Sequence, residues 1–94
     1  MGDASKSAIH LIIQGRVQGV GFRYTTQNLA MQYDVAGYVR NTRDGKVELV
    51  VEGPDDQMKH LLDDLKQRME GFIRKTDVEV SPATGEFQEF GIRH

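Results

Sequence analysis

The apolar residues of this chain recur with two periods, in the order two, 3.6, two, two, 3.6, two, and few chain organisations satisfy that order. In AIHLIIQ (8–14), Ile9, Leu11 and Ile13 share one face of a strand, while His10, Ile12 and Gln14 take the other. The spacing then changes: Phe22, Thr26, Leu29, Ala30 and Tyr33 predict a helix from about Phe22 to Tyr33. VAGYVRNT (35–42) and KVELVVEG (46–53) both alternate and flank the turn signal RDG (43–45), which predicts a β-hairpin. Pro54, Asp55 and Asp56 suit the start of a second helix. Its stripe is Met58, Leu61, Leu62, Leu65 and Met69, with Gly71 as a C-terminal cap. A fourth strand is expected within FIRKTDVEV (72–80), a turn at SPATG (81–85) and a short edge strand in FQEFGIR (87–93).

That order defines an α+β class, the ferredoxin-like split βαβ pattern (βαββαβ). The expected product is an antiparallel four- to five-stranded sheet with two helices on one face. The other face would carry Ile12 and Val50 among polar side chains, as in a half-solvated sheet. Residues 1–7 read as a flexible polar tail and 8–94 as a single domain.

Composition removes whole classes of chemistry. The 94 residues include no cysteine, so thiolate nucleophiles and Cys-based zinc sites are excluded. That is compatible with a cytoplasmic location. Net charge is −2 with acids and bases interspersed, which argues against a broad polyanion-binding face. No apolar run reaches the length of a membrane span, and MGDASKSA lacks a signal-peptide apolar stretch. Lys6 stands where a myristoylation motif needs Ser or Thr. His10, His60 and His94 are isolated from one another, and Asp55/Asp56 and Asp63/Asp64 are adjacent pairs whose members point apart on a helix. No metal site and no Ser-His-Asp arrangement is legible.

GRVQGVGFRY (15–24) places three glycines in seven positions and then Phe22, Arg23 and Tyr24. In a split βαβ arrangement the first two strands run parallel with the third between them, so Gly15 and Asn41 end at the same sheet edge. The first helix begins there too. Loop 15–21, Arg23 in the first helical turn and Asn41 therefore converge. Glycines let a loop aim several amides at one point, and a helix N-terminus adds its own free N–H groups. With the fork of Arg23, the loop of Gly15, Arg16, Val17, Gln18, Gly19, Val20 and Gly21 makes a pocket for a tetrahedral dianion. The spacing matches neither GxxxxGK[ST] nor GxGxxG. On glycine spacing alone, a tight strand-to-helix connection accounts for the loop equally well. Amides, a guanidinium and a carboxamide supply no strong acid or base, so the leaving group must depart without protonation. A carboxylate leaving a phosphoryl centre meets that condition.

GRVQGVGFR (15–23) together with GYVRNTRDGKVELVVEG (37–53) resembles the acylphosphatase family, and FGIR (90–93) closes the resemblance, which covers about residues 8 to 93. The resemblance implies an enzyme hydrolysing carboxyl-phosphate mixed anhydrides to a carboxylate and inorganic phosphate, without metal or cofactor. By position it assigns the loop amides and Arg23 to the phosphate cradle and Asn41 to orienting the attacking water, with Gln18 and Thr42 as support. It also leads us to expect a cytoplasmic monomer whose partners are a small acyl phosphate and inorganic phosphate as competitive inhibitor. His94 departs from the aromatic or basic ending of relatives, a departure expected to leave the site untouched.

Two other readings have distinct signatures. A non-catalytic module recognising carbamoyl phosphate, of the kind fused to larger maturation enzymes, would bind phosphate without turnover; the ends of this chain argue against it. Single-stranded RNA binding uses the same strand order but needs aromatics on the central strands. AIHLIIQ and KVELVVEG have none.

Overall fold

The alternation of the first segment runs further than expected. In the computed structural model, which describes residues 6–94, β1 spans Lys6–Gly15 and takes in Lys6 and Ser7. The rest of the expected tail, residues 1–5, lies outside the described residues. After β1 come α1 (Phe22–Ala30), β2 (Ala36–Asn41), β3 (Val47–Pro54), α2 (Asp55–Arg68), β4 (Ile73–Pro82) and β5 (Phe90–Arg93).

Both helices lie on one face of a five-stranded sheet ordered β4-β1-β3-β2-β5. β3 pairs antiparallel with β1 and with β2, so β1 and β2 run parallel and end at one edge. Leu11, Ile13, Val39, Val47, Leu49 and Val51 point into the buried layer, where they meet Phe22, Leu29, Met58, Leu61 and Leu65. Thr26 is fully buried in that stripe because its hydroxyl donates to the Phe22 carbonyl at 2.8 Å. α1 stops at Ala30 rather than Tyr33. Gln32 and Tyr33 donate to Leu29 and Ala30, three residues back, so the last turn tightens while Tyr33 still reaches the core margin.

The sheet is mixed rather than wholly antiparallel, because β5 pairs parallel with β2. The reason lies in the chain path. β4 runs antiparallel to β1 at one edge and β5 sits at the other, so residues 83–89 must cross four strand spacings. That is about 19 Å, close to the reach of seven extended residues. Ser81 and Pro82, expected in a turn, belong to β4.

Glu52 fixes this strap. Register puts it beside Ala8 and Ala36, on the sheet face away from the helices, where two small side chains leave room for the crossing. Its carboxylate accepts from the Thr84 hydroxyl (2.6 Å), the Thr84 amide (3.1 Å) and the Gly85 amide (3.0 Å). The second face is therefore covered at this end, not simply solvated. Beyond it, Glu48 accepts from His10 Nε2 at 2.7 Å and from Arg40 and Tyr38.

Burial pushes the Glu52 carboxyl up, but the Thr84 and Gly85 donors outweigh it and hold it below the ordinary value. A depressed folded pKa stabilises above the unfolded carboxyl range and is lost as pH falls through the folded value. Glu52→Gln is accordingly expected to cost about 1.5–3 kcal/mol at neutral pH. That deficit should shrink toward zero as the wild-type carboxylate protonates, which urea unfolding of both proteins across the acid range will measure.

Candidate active site

Gly15 and the later glycines of the loop answer to different needs. At Gly15 (φ 141°) an added Cβ would stand 2.1 Å from the Phe72 carbonyl oxygen, so what comes close there is the entry to β4. The Arg16 amide is spent on the same carbonyl at 2.8 Å. At Gly19 and Gly21 (φ 78° each) a Cβ would meet nothing, so the demand is for left-handed backbone rather than for room. Gly21 is the N-cap of α1 and offers no side-chain cap. Among the described residues, the amides of 17–21 meet no acceptor at hydrogen-bonding geometry.

At the shared strand edge lies a hollow of about 260 Å³, lined from the loop by Val17, Gly19 and Gly21. Phe22, Arg23 and Tyr24 from the first turn of α1, with Asn41 from the end of β2, complete it. Arg23 is its one cation, and no carboxylate lines it. The helix N-terminus adds partial positive charge in the same place. A small anion is the ligand this electrostatics favours.

Asn41 follows Val39 by two positions and so lies on the helix-covered face, under the loop. Its Oδ1 is buried and has no hydrogen-bond partner among the described residues. An orphaned buried acceptor of this kind costs roughly 1–3 kcal/mol, and such groups call for a functional explanation.

Gln18 does not face the hollow through its carboxamide. Its Nε2 donates to the carbonyls of Thr42 at 2.8 Å and Lys46 at 2.7 Å, clasping the loop to the β2–β3 hairpin. Thr42 holds that hairpin shut: its amide donates to Lys46 O (2.9 Å), and its hydroxyl accepts from the Lys46 amide (3.0 Å). The Thr42 hydroxyl, and Lys46 after it, keep the Asp44 carboxyl below its usual range against the opposing effect of burial. Val20 turns partly into the core. Of the loop residues expected at the anion, Val17, Gly19 and Gly21 line the hollow with Arg23 and Asn41. Gly15 and Arg16 serve the contact with β4, and Gln18 the clasp.

One contact was not expected. Arg23 Nη1 donates to His94 Nδ1 at 3.2 Å, so the terminal position does touch the site. Nothing local in FGIRH signals this, since β5 must first be placed beside β2. Among the described residues no three His, Cys, Asp or Glu side chains converge on a metal position. No helix there is long and apolar enough to cross a membrane.

Fold and hollow together define a ferredoxin-like α+β domain whose hollow, at one sheet edge, is lined by one guanidinium and a glycine loop. The family model described as Acylphosphatase matches residues 9–92. The acylphosphatase of Bacillus pumilus is 44% identical over 88 residues, covering 89% of this chain and 94% of that protein. That of Pyrobaculum islandicum is 41% identical over 85 residues, covering 88% and 90%. The crystal structure of acylphosphatase from Bacillus subtilis superposes with a TM-score of 0.86 at 32% identity, covering 94% of this chain and 99% of the other. Full-length HypF in its phosphate- and nucleotide-bound form contains the same fold, with a TM-score of 0.83 and 25% identity over 99% of this chain and 12% of HypF. The chain belongs to the acylphosphatase family and is a hydrolase.

The clasp can be tested separately from the anion site. Gln18→Ala should cost about 1–2 kcal/mol, the net worth of two hydrogen bonds, and should also weaken inhibition by phosphate as the loop loosens. Gln18→Glu should cost more, because a carboxylate would face two carbonyl oxygens. Chemical denaturation and steady-state inhibition on both variants check this order.

Proposed function

We propose that this enzyme hydrolyses the carboxyl-phosphate bond of small acyl phosphates by in-line attack of water on a phosphoryl group held by the 17–21 amides and Arg23. The observation that carries the reading is the meeting, in one hollow, of loop residues with unspent amides, a single guanidinium and the side chain of Asn41.

The phosphoryl oxygens accept from the amides and from Arg23. Asn41 holds the attacking water through its carboxamide and aims the water's oxygen at phosphorus. As the water O–P bond forms, the P–O bond to the acyl group breaks, its electron pair leaves on the carboxylate, and the water's proton passes to phosphate oxygen or solvent. A carboxylate needs no general acid to depart, which suits a site whose lining holds no carboxylic acid and no imidazole. The donors are fixed before reaction, so they need little reorganisation as charge shifts in the transition state.

Several further properties go with this mechanism. Inorganic phosphate has the geometry of the bound group and should compete with substrate. Guanidinium and amides meet the phosphoryl charge, and the lining has no carboxylate to hold Mg²⁺, so turnover should survive a chelator. A sequence without cysteine is in keeping with the cytoplasm.

Arg23→Gln should weaken both phosphate competition and turnover. Asn41→Ala should keep phosphate competition and lose about 10²–10³-fold in kcat, as for removal of one transition-state donor or orienting group. Because Oδ1 is already orphaned, Asn41→Ala should not lower stability. Acetyl-phosphate hydrolysis, phosphate inhibition and thermal unfolding of the two variants test the scheme, and an Asn41→Ala enzyme with normal turnover would remove Asn41 from it. Phosphate binding with no turnover in the wild-type enzyme would favour a binding module instead.

A further inference from the structure

The three tyrosines of this chain are treated very differently by the fold. Tyr33 donates its hydroxyl to Asp64 and stacks on His60. Tyr38 donates to Glu48, and its ring lies under the Arg93 guanidinium at 3.9 Å and beside Phe87. Tyr24 has neither kind of partner among the described residues: its hydroxyl makes no hydrogen bond and its ring meets no aromatic or cationic group. It is 62% exposed, one of four large apolar side chains left at the surface with Met31, Val78 and Val80. Of these four, Tyr24 alone lines the hollow.

Its position follows from the helix. Tyr24 is the chain neighbour of Arg23 in the first turn of α1, about 100° round the axis. One residue supplies the cation and the next an aromatic surface at the same mouth. The face of a phenol ring is electronegative and does not attract phosphoryl oxygens, but it does take apolar or planar groups. In-line displacement adds a direction: the leaving group departs opposite the attacking water. Asn41 closes the hollow under the loop and holds the water on that inner side, so the acyl group faces the exposed rim where Tyr24 stands.

We propose that the Tyr24 ring is the docking surface for the acyl half of the substrate, and that it biases the enzyme toward acyl phosphates whose acyl group is planar or apolar and large enough to lie on it. This rests on the phosphoryl-transfer reading above. The ring contact is the same in ground and transition states, so it acts on KM more than on kcat.

The test compares kcat/KM for benzoyl phosphate and acetyl phosphate in wild type, Tyr24→Ala and Tyr24→Phe. Comparing ratios between enzymes cancels the intrinsic reactivity of the two anhydrides. Tyr24→Ala should lower the benzoyl-to-acetyl ratio about fivefold, mainly through a higher KM for benzoyl phosphate, within the range expected for loss of one aromatic contact. Tyr24→Phe should keep the wild-type ratio within twofold. A Tyr24→Ala ratio equal to wild type, whether or not overall activity falls, overturns the proposal. A wild-type enzyme that hydrolyses neither compound fails at the phosphoryl-transfer reading itself, an outcome distinct from an unchanged ratio.

Discussion

The carboxamide of Gln18 donates both of its N–H groups across a gap of more than twenty residues, to the carbonyls of Thr42 and Lys46, and so joins the glycine loop to the hairpin whose first strand ends at Asn41. Besides it, the loop is held by the Arg16 amide on Phe72, by the Gly21 carbonyl in α1 and by the burial of Val17 in the core. Split βαβ topology brings the strand ends to one edge, but topology sets position only to within a few ångströms. A phosphoryl cradle needs its donors placed more tightly than that. The clasp supplies that tightening from a neutral side chain, leaving the charge of Arg23 as the one full cation in the hollow.

That electrostatic economy limits the chemistry as much as it enables it. Free amides, the helix N-terminus and one guanidinium converge on a space without carboxylates, so a dianion is welcome and a cation is not. Apart from the weakly acidic phenol of Tyr24, nothing in the lining can protonate an alkoxide. Under the proposed mechanism, the site suits an anhydride whose leaving group is already a weak base. The buried Oδ1 of Asn41, without a hydrogen-bond partner among the described residues, is a cost the fold carries at this edge.

Much of this was legible in the residues. The alternation of β1 and β3, the stripe of α2 and the RDG turn are local patterns, and they lead directly to the element order and to the shared edge of Gly15 and Asn41. What the sequence hid depends on contacts between distant segments. Gly15 looks like the other glycines until Phe72 is placed against it. Gln18 looks like one more loop residue until the hairpin lies beneath it. Glu52 reads as an ordinary outward-facing strand residue, yet it is buried under a strap that crosses the sheet. The parallel pairing of β5, and with it the contact of His94 with Arg23, follows from that crossing and has no local signature.

The central claim is that the 17–21 amides and the Arg23 guanidinium form one preformed site for a phosphoryl group. The most direct measurement is an NMR titration of the ¹⁵N-labelled protein with inorganic phosphate, following backbone amides and the Arg Nε–H together. The account predicts that the amides of Val17 to Gly21 and the Nε–H of Arg23 shift along one saturating curve, while those at the start of α2, the other helix N-terminus, stay in place. Phosphate that moves α2 and leaves the loop amides unshifted would contradict it.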